Sequence, residues 1–272
     1  MKLLAALQFL TTVPIPRRGE INAEEAGASL GYFPLVGLFL GGVLAGINWA
    51  LSLILPSSIV NAVIIIALLL LTGALHVDGF IDTCDALFGR RTPQERWQIM
   101  SDSRVGSFGV VGAFCLLLLV YVSLGGIPEA YKTVALILMP ALSRWAIVYA
   151  IFAFPYAKPA GLGKTFKEQA SWGKLAVATS LMLASTLGLL IIKGLVLLFA
   201  GLALIFMVWL IAAVLGLFLQ RRFAGLTGDS YGAINEVTQV FILIFFISSK
   251  VMPASLPKSS SRRSERGITV NL

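Results

Sequence analysis

An all-α, polytopic membrane bundle of about seven segments with short interfacial helices is the fold class this chain predicts. Three observations lead there. Of its 272 residues, 58% are hydrophobic and 12% charged, against about 25% charged in soluble domains. Residues 26–75 contain no Asp, Glu, Lys or Arg, room for two spans when one needs about 20 residues. The apolar runs are continuous and not alternating, which selects helices from the two structures that satisfy their own backbone in hydrocarbon. Residues 1–252 read as one membrane-embedded domain, and the Ser-rich basic tail 253–272 as disordered.

The elements follow in order. Residues 1–16, MKLLAALQFLTTVPIP, are too short to span and lack a small-x-small cleavage site, so they read as a surface helix and not a signal peptide. Arg17, Arg18, Glu20, Glu24 and Glu25 form a polar link. A first span is expected from Ser29 to Ile54, where Gly42 and Gly46 make a small-xxx-small pair that permits close helix contact. A second runs from Ile59 to Leu75 and leads into His76. Gly89 is a helix stop, and Thr92-Pro93-Gln94-Glu95 reads as N-cap, N1 proline and capping-box glutamate of a helix reaching about Asp102. Spans three and four are expected at Ser107–Leu124 and Thr133–Phe154. A Gly/Lys-rich loop, 155–172, precedes spans five and six at Leu175–Ile192 and Leu195–Leu219, joined by a turn at Lys193-Gly194. The last apolar stretch, Val237 to about Met252, is short for a span.

The stretch His76–Gly109 stands out within this apolar chain and holds its single histidine. Asp78, Asp82 and Asp85 lie at i, i+4 and i+7, which at 100° per residue puts three carboxylates within roughly 60° on one helix face. Like charges so close repel unless a cation sits on them or their pKa values rise. Oxygen ligands only, with no Cys or His pair at metal spacing, point to Mg²⁺ or a similar hard cation. The alternative, a solvated helix face, would mix both signs, and no Lys or Arg occurs here before Arg90. Cys84 and Cys115 suggest neither a disulfide framework nor a metal site.

Such a cluster beside Arg and Lys suits a phosphate-bearing substrate, because metal ions neutralise a pyrophosphate and orient it for in-line attack by a hydroxyl. Arg104, Arg144 and Lys164 are the candidate phosphate clamps, and His76 is a candidate base for the attacking hydroxyl. Arg144 falls in the middle of a span, where a charge normally faces the bundle interior; a buried salt bridge is its structural alternative. A second polar island, Gln220–Glu236, would place Asp229 and Glu236 on one helical face with Gly232 and Ala233.

Two blocks, HVDGFIDTCDALFG and ERWQIMSDSRVGSFG, closely resemble the cobalamin synthase family, the adenosylcobinamide-GDP ribazoletransferases. FLTTVPIP, PALSRW around Arg144, the GLG of 161–163 and GLTGDSYGAINE extend the resemblance over nearly the whole chain, the tail excepted. The resemblance implies transfer of the adenosylcobinamide phosphate moiety of adenosylcobinamide-GDP to α-ribazole or its 5′-phosphate, with GMP released and Mg²⁺ used, at a membrane. It implies that Asp78, Asp82 and Asp85 bind metal and pyrophosphate, with Asp102, Ser103 and Asp229 as outer, substrate-binding members. A homo-oligomer, or association with other enzymes of the pathway, stays open.

Two rival readings fit parts of the pattern. CDP-alcohol-type phosphotransferases also cluster aspartates, but their A-R pair is missing after Asp78-Gly79. A transporter would need mid-membrane carboxylates and an internal repeat. Nucleic acid is an unfit partner, because the basic residues are spread over loops and form no stripe. With seven spans, one side carries Lys2, Arg17, Arg18, Arg90, Arg91, Arg96, Arg104, Lys158, Lys164, Lys167, Lys174, Arg221 and Arg222, and the loops opposite only Lys132 and Lys193. The positive-inside rule turns the former to the cytoplasm of a bacterial or archaeal cell. The same count would export the basic tail, so either the last segment fails to cross or the tail tolerates export.

Overall fold

The structure, a computed structural model, describes residues 2–14, 23–89, 91–191 and 197–248. Outside them lie Arg17, Arg18, Glu20, Arg90, the Lys193-Gly194 turn and the tail.

The described residues fold almost entirely into helices: α1 (Lys2–Leu10), α2 (Ala23–Ser29), a 3₁₀ turn (Leu30–Tyr32), α3 (Phe33–Leu51), α4 (Ser57–Thr72), α5 (Leu75–Leu87), α6 (Pro93–Met100), α7 (Ser107–Gly126), α8 (Glu129–Ala153), α9 (Leu162–Gln169), α10 (Trp172–Ile191), α11 (Leu197–Phe223) and α12 (Gly228–Ile247). No strand occurs among the described residues, only an isolated bridge between Tyr156 and Leu226. Among the described residues, six segments are long and apolar enough to cross a membrane: 24–51, 107–126, 129–153, 172–191, 198–223 and 228–247. The bent pair α4–α5 supplies a seventh candidate. The bundle of about seven segments with short additional helices is therefore what the chain forms.

Helix α8 is the axis of the bundle. It is buried along nearly its whole length and packs against α3, α10, α11 and α12. Lipid tails are as apolar as Leu, so close packing of small residues, not hydrophobic burial, draws such helices together. The α3–α8 contact shows how. A Cβ on Gly37 would strike the backbone of Pro140 and Ala141, and one on Gly41 would meet Ile137 Cα at 2.5 Å. The expected pair, Gly42 and Gly46, has no heavy atom within 4 Å of an added Cβ. The spacing principle holds, but the contacting pair lies five residues earlier, about 140° away around the helix.

Between α4 and α5 the chain turns by 92°. Gly73 and Ala74 both take left-handed backbone, with φ of 59° and 56°, a conformation that costs a non-glycine residue about 1–2 kcal/mol. The expected second span accordingly stops at Thr72, and α5 sets off in a new direction. Its far end stops at Gly89 (φ 85°), as expected. Arg96 closes that end by donating to the carbonyls of Ala86, Leu87 (2.7 Å) and Gly89 (3.0 Å), satisfying groups that a helix terminus leaves open. The capping box of α6 forms: Glu95 N donates to Thr92 Oγ1 at 3.4 Å, and Thr92 N to Glu95 Oε2 at 2.7 Å.

The largest correction concerns the last helix. The expected short segment beginning at Val237 instead starts at Gly228, capped by Thr227 and Ser230. The second polar island therefore supplies the first two turns of a 20-residue membrane helix. Part of the loop 155–172 also coils, as α9.

Candidate active site at the crossing of two helices

Two glycines bring the polar islands together. An added Cβ on Gly79 would lie 2.9 Å from Asp229 Cα, and one on Gly232 would lie 2.8 Å from the His76 carbonyl oxygen. Helices α5 and α12 thus cross backbone to backbone, and Asp229 arrives beside the carboxylates of α5. Asp82 sits within the fields of Asp229, Asp78 and Asp85, with Lys158 as the opposing charge. Lys158 Nζ stands 3.5 Å from Asp229 Oδ2. A cavity of about 210 Å³ opens beside them, lined by Asp78 and Asp229, by His76, and by apolar side chains of α1, α3, α8 and α9.

Asp85 differs from its two neighbours. Its Oδ2 accepts from Gly106 N and its Oδ1 from Gly109 N, both at 2.8 Å. A carboxylate at a helix N-terminus is favourable, so Asp85 fastens α5 to the start of α7. A Cβ at Gly106 or Gly109 would collide with this carboxylate. The glycines of SRVGSFG are explained by that contact.

The remaining expected residues separate into groups. His76 is 5% exposed, lines the cavity, and has an Nδ1 without a hydrogen-bond partner. Asp102, Ser103 and Arg104 lie together on the α6–α7 link and do not line the cavity. There Arg104 grips Asp102 at 2.7 Å and, with its own backbone N–H, holds that carboxyl down at about 2. Lys164 points to its own surroundings, donating to Pro159 O at 2.8 Å and standing 3.7 Å from Glu168. Lys158, in the same Lys-rich loop but not among the expected phosphate clamps, is the lysine that reaches Asp229.

Arg144 is completely buried and lines a different, smaller cavity with Glu236 and Gln239. Its Nη1 donates to Ser143 Oγ at 3.2 Å, and its charge acts on Glu236. Glu236 Oε1 accepts from Asn235 (2.9 Å) and Gln239 (3.2 Å). Asp229 and Glu236 share α12 but serve two different places. No direct ion pair joins Arg144 and Glu236, but two opposite charges share this buried site, and leaving either one alone there costs up to about 3–5 kcal/mol. Arg144→Met is therefore expected to lower the thermal unfolding temperature in detergent sharply, and Arg144→Met with Glu236→Leu to recover most of it. Equal losses in both variants would remove the pairing.

For Mg²⁺ the donor chemistry fits. Asp78, Asp82 and Asp229 offer oxygen only, and Asp82 senses both others. No group of three His, Cys, Asp or Glu stands ready to hold a metal among the described residues. Mg²⁺ is commonly held by one or two carboxylates and completed by substrate phosphates and water, which this arrangement allows.

Residues 2–247 match the family described as cobalamin-5-phosphate synthase. The chain is also similar to three proteins named adenosylcobinamide-GDP ribazoletransferase. That of Roseiflexus sp. is 37% identical over 88% of this chain and 86% of its own. That of Desulfitobacterium hafniense is 38% identical over 89% and 95%, and that of Thermosynechococcus vestitus 38% over 89% and 94%. No solved structure matches. A match that runs from α1 to the end of α12, and so takes in both halves of the helix crossing, makes this chain a member of the cobalamin-5-phosphate synthase family.

Proposed function

We infer that the protein is a transferase of cobalamin biosynthesis that moves the adenosylcobinamide phosphate moiety of adenosylcobinamide-GDP onto α-ribazole or its 5′-phosphate. GMP leaves, and adenosylcobalamin or its 5′-phosphate forms. The observation that carries this is the convergence of the α5 and α12 carboxylates at a cavity mouth, in a chain of this family.

A ribose hydroxyl of the acceptor attacks the phosphorus that bears cobinamide. A new O–P bond forms, the P–O bond to the GMP phosphate breaks, and its electron pair departs with GMP. Asp78, Asp82 and Asp229 are the residues to hold Mg²⁺, which when bound would neutralise the pyrophosphate. Lys158 supplies positive charge next to Asp229 for a phosphate oxygen. His76, lining the cavity with Asp78, is positioned to take the hydroxyl proton. Asp85 keeps α5 in register with α7, and Arg104, with Asp102 and Ser103 on the neighbouring link, is left to meet the outer part of the donor.

The excess of Lys and Arg on the side of α5, α6, α9 and the start of α12 supports an active site facing the cytoplasm. The purified protein in lipid, given adenosylcobinamide-GDP and α-ribazole 5′-phosphate, should release GMP with Mg²⁺ and none with EDTA. No GMP from folded protein would overturn this function. Lys158→Ala is expected to lower kcat roughly 10²-fold, as for loss of an electrostatic donor, and Lys164→Ala less than about threefold, as for an exposed pair. The reverse order in steady-state assays would return the clamp to Lys164.

A further inference from the structure

We propose that the cavity beside the carboxylates is the subsite for the flat aromatic base of the acceptor nucleoside; this rests on the function inferred above and names which substrate part enters. Its apolar wall contains three packed rings. Phe9, Phe33 and Phe166 have centroid separations of 4.9 Å (Phe9–Phe166), 5.7 Å (Phe33–Phe166) and 5.9 Å (Phe9–Phe33). Ile147 and Ile151 continue that wall. Aromatic faces and edges are what a planar ring system packs against.

Size excludes the larger candidate. At about 210 Å³ the cavity is smaller than the roughly 300–1,000 Å³ that buries a drug-sized ligand. It takes one fused ring system and not a corrin macrocycle. Polarity argues against the other base present, the guanine of the donor. Guanine carries several donors and acceptors, and burying them unpaired is costly. Beyond Asp78 and Asp229, the residues to hold metal, the cavity has only His76 Nδ1 and Tyr231 Oη unpaired, too few for guanine's several donors and acceptors.

Two buried polar groups mark the cavity as built for a ligand. His76 Nδ1 and Tyr231 Oη have no hydrogen-bond partner, both residues are 5% exposed, and both line the cavity. Buried polar atoms are normally satisfied, so two unpaired ones in the walls of one cavity are groups that a bound ring nitrogen or ribose hydroxyl would satisfy. A base seated against the phenylalanines brings its ribose to the end where Asp78 and Asp229 lie, beside the phosphorus it must attack. The acceptor is thereby oriented by its base, and the donor by its phosphates.

The test uses the full-length protein in lipid nanodiscs, with Phe166→Ala, Phe166→Leu and Tyr231→Phe. Steady-state KM is measured for each substrate separately, and α-ribazole 5′-phosphate binding is measured by equilibrium dialysis without donor. For Phe166→Ala the acceptor KM and dialysis constant should rise at least about tenfold, the loss of one good packing contact, while the donor KM stays within about twofold. Phe166→Leu should restore most of the binding, and Tyr231→Phe should weaken acceptor binding without lowering thermal stability. A rise confined to the donor KM would give the cavity to guanine, and no change in either KM would remove it as a substrate site. Should Phe166→Ala fail to fold, the other two variants decide on the same readouts. Absence of GMP release by the wild-type protein would overturn the function itself, whereas these shifts bear on the subsite alone.

Discussion

Asp82→Ala is expected to abolish GMP release, with kcat falling at least about 10³-fold, as when a principal charge-stabilising group is removed. It should do so without loosening the fold. Asp82 lies among Asp229, Asp78 and Asp85, so in metal-free protein its charge is repelled from three sides with Lys158 as counterweight. Removing it relieves that repulsion. The thermal unfolding temperature in EDTA should therefore hold or rise, while the stabilisation that added Mg²⁺ confers on the wild type should shrink. Opposite signs for activity and metal-free stability separate a ligand from a structural carboxylate. Asp85→Ala offers the contrast, because it deprives two backbone N–H groups of their acceptor and should lower stability as well as activity. Near-normal turnover of Asp82→Ala would sink the metal assignment.

The second large effect is expected at a position with no chemistry of its own. Gly79→Val puts a branched side chain where 2.9 Å separates an added Cβ from Asp229 Cα. Both atoms belong to helix backbones or are fixed to them, so neither can swing aside. The helices must part, and overpacking of this kind costs about 1–3 kcal/mol. The catalytic cost is larger, because a misplacement near 1 Å removes on the order of 10²-fold in rate. Gly42→Val is the matched control, since an added Cβ there meets nothing within 4 Å. Activity and unfolding temperature measured on both variants should show a loss only at Gly79. Equal tolerance at the two glycines would mean that α5 and α12 are not held together by this crossing.

The sequence carried local information well and partnership poorly. Spacing alone put Asp78, Asp82 and Asp85 on one face, and side-chain types alone specified the Thr92–Glu95 capping box and the stop at Gly89. Each depends on residues a few positions apart. Which of several equivalent residues meets a distant helix is a different question. Gly37 with Gly41 and Gly42 with Gly46 are equally good small-xxx-small pairs, and only the position of α8 selects the first. Lys158 and Lys164 are equally basic, and only the return of the chain at the bridge between Tyr156 and Leu226 brings the former to Asp229. Arg144 showed its burial by its depth in a span, but not that Glu236 would be its neighbour. The start of α12 was obscured because its first two turns carry the polar residues of the site, which lowers the apolar signal by which a span is recognised.

The bend at Gly73-Ala74 has a consequence for how this chain enters a bilayer. Helix α4 has 16 residues, about 24 Å at 1.5 Å per residue, against a hydrocarbon thickness of about 30 Å. Extending it straight into α5 would make up the length but drive three aspartates toward the lipid, at about 2.5–3.5 kcal/mol for each that reached the centre. By turning aside, the chain spares the insertion machinery that load and leaves α4 as a short, weakly self-sufficient stem. Its natural route in is as the second arm of a hairpin with α3, to which the brief turn at residues 52–56 ties it. The placement of the catalytic helix thus rests on an element that carries no catalytic residue, because the turn at the end of α4 sets the direction in which α5 leaves.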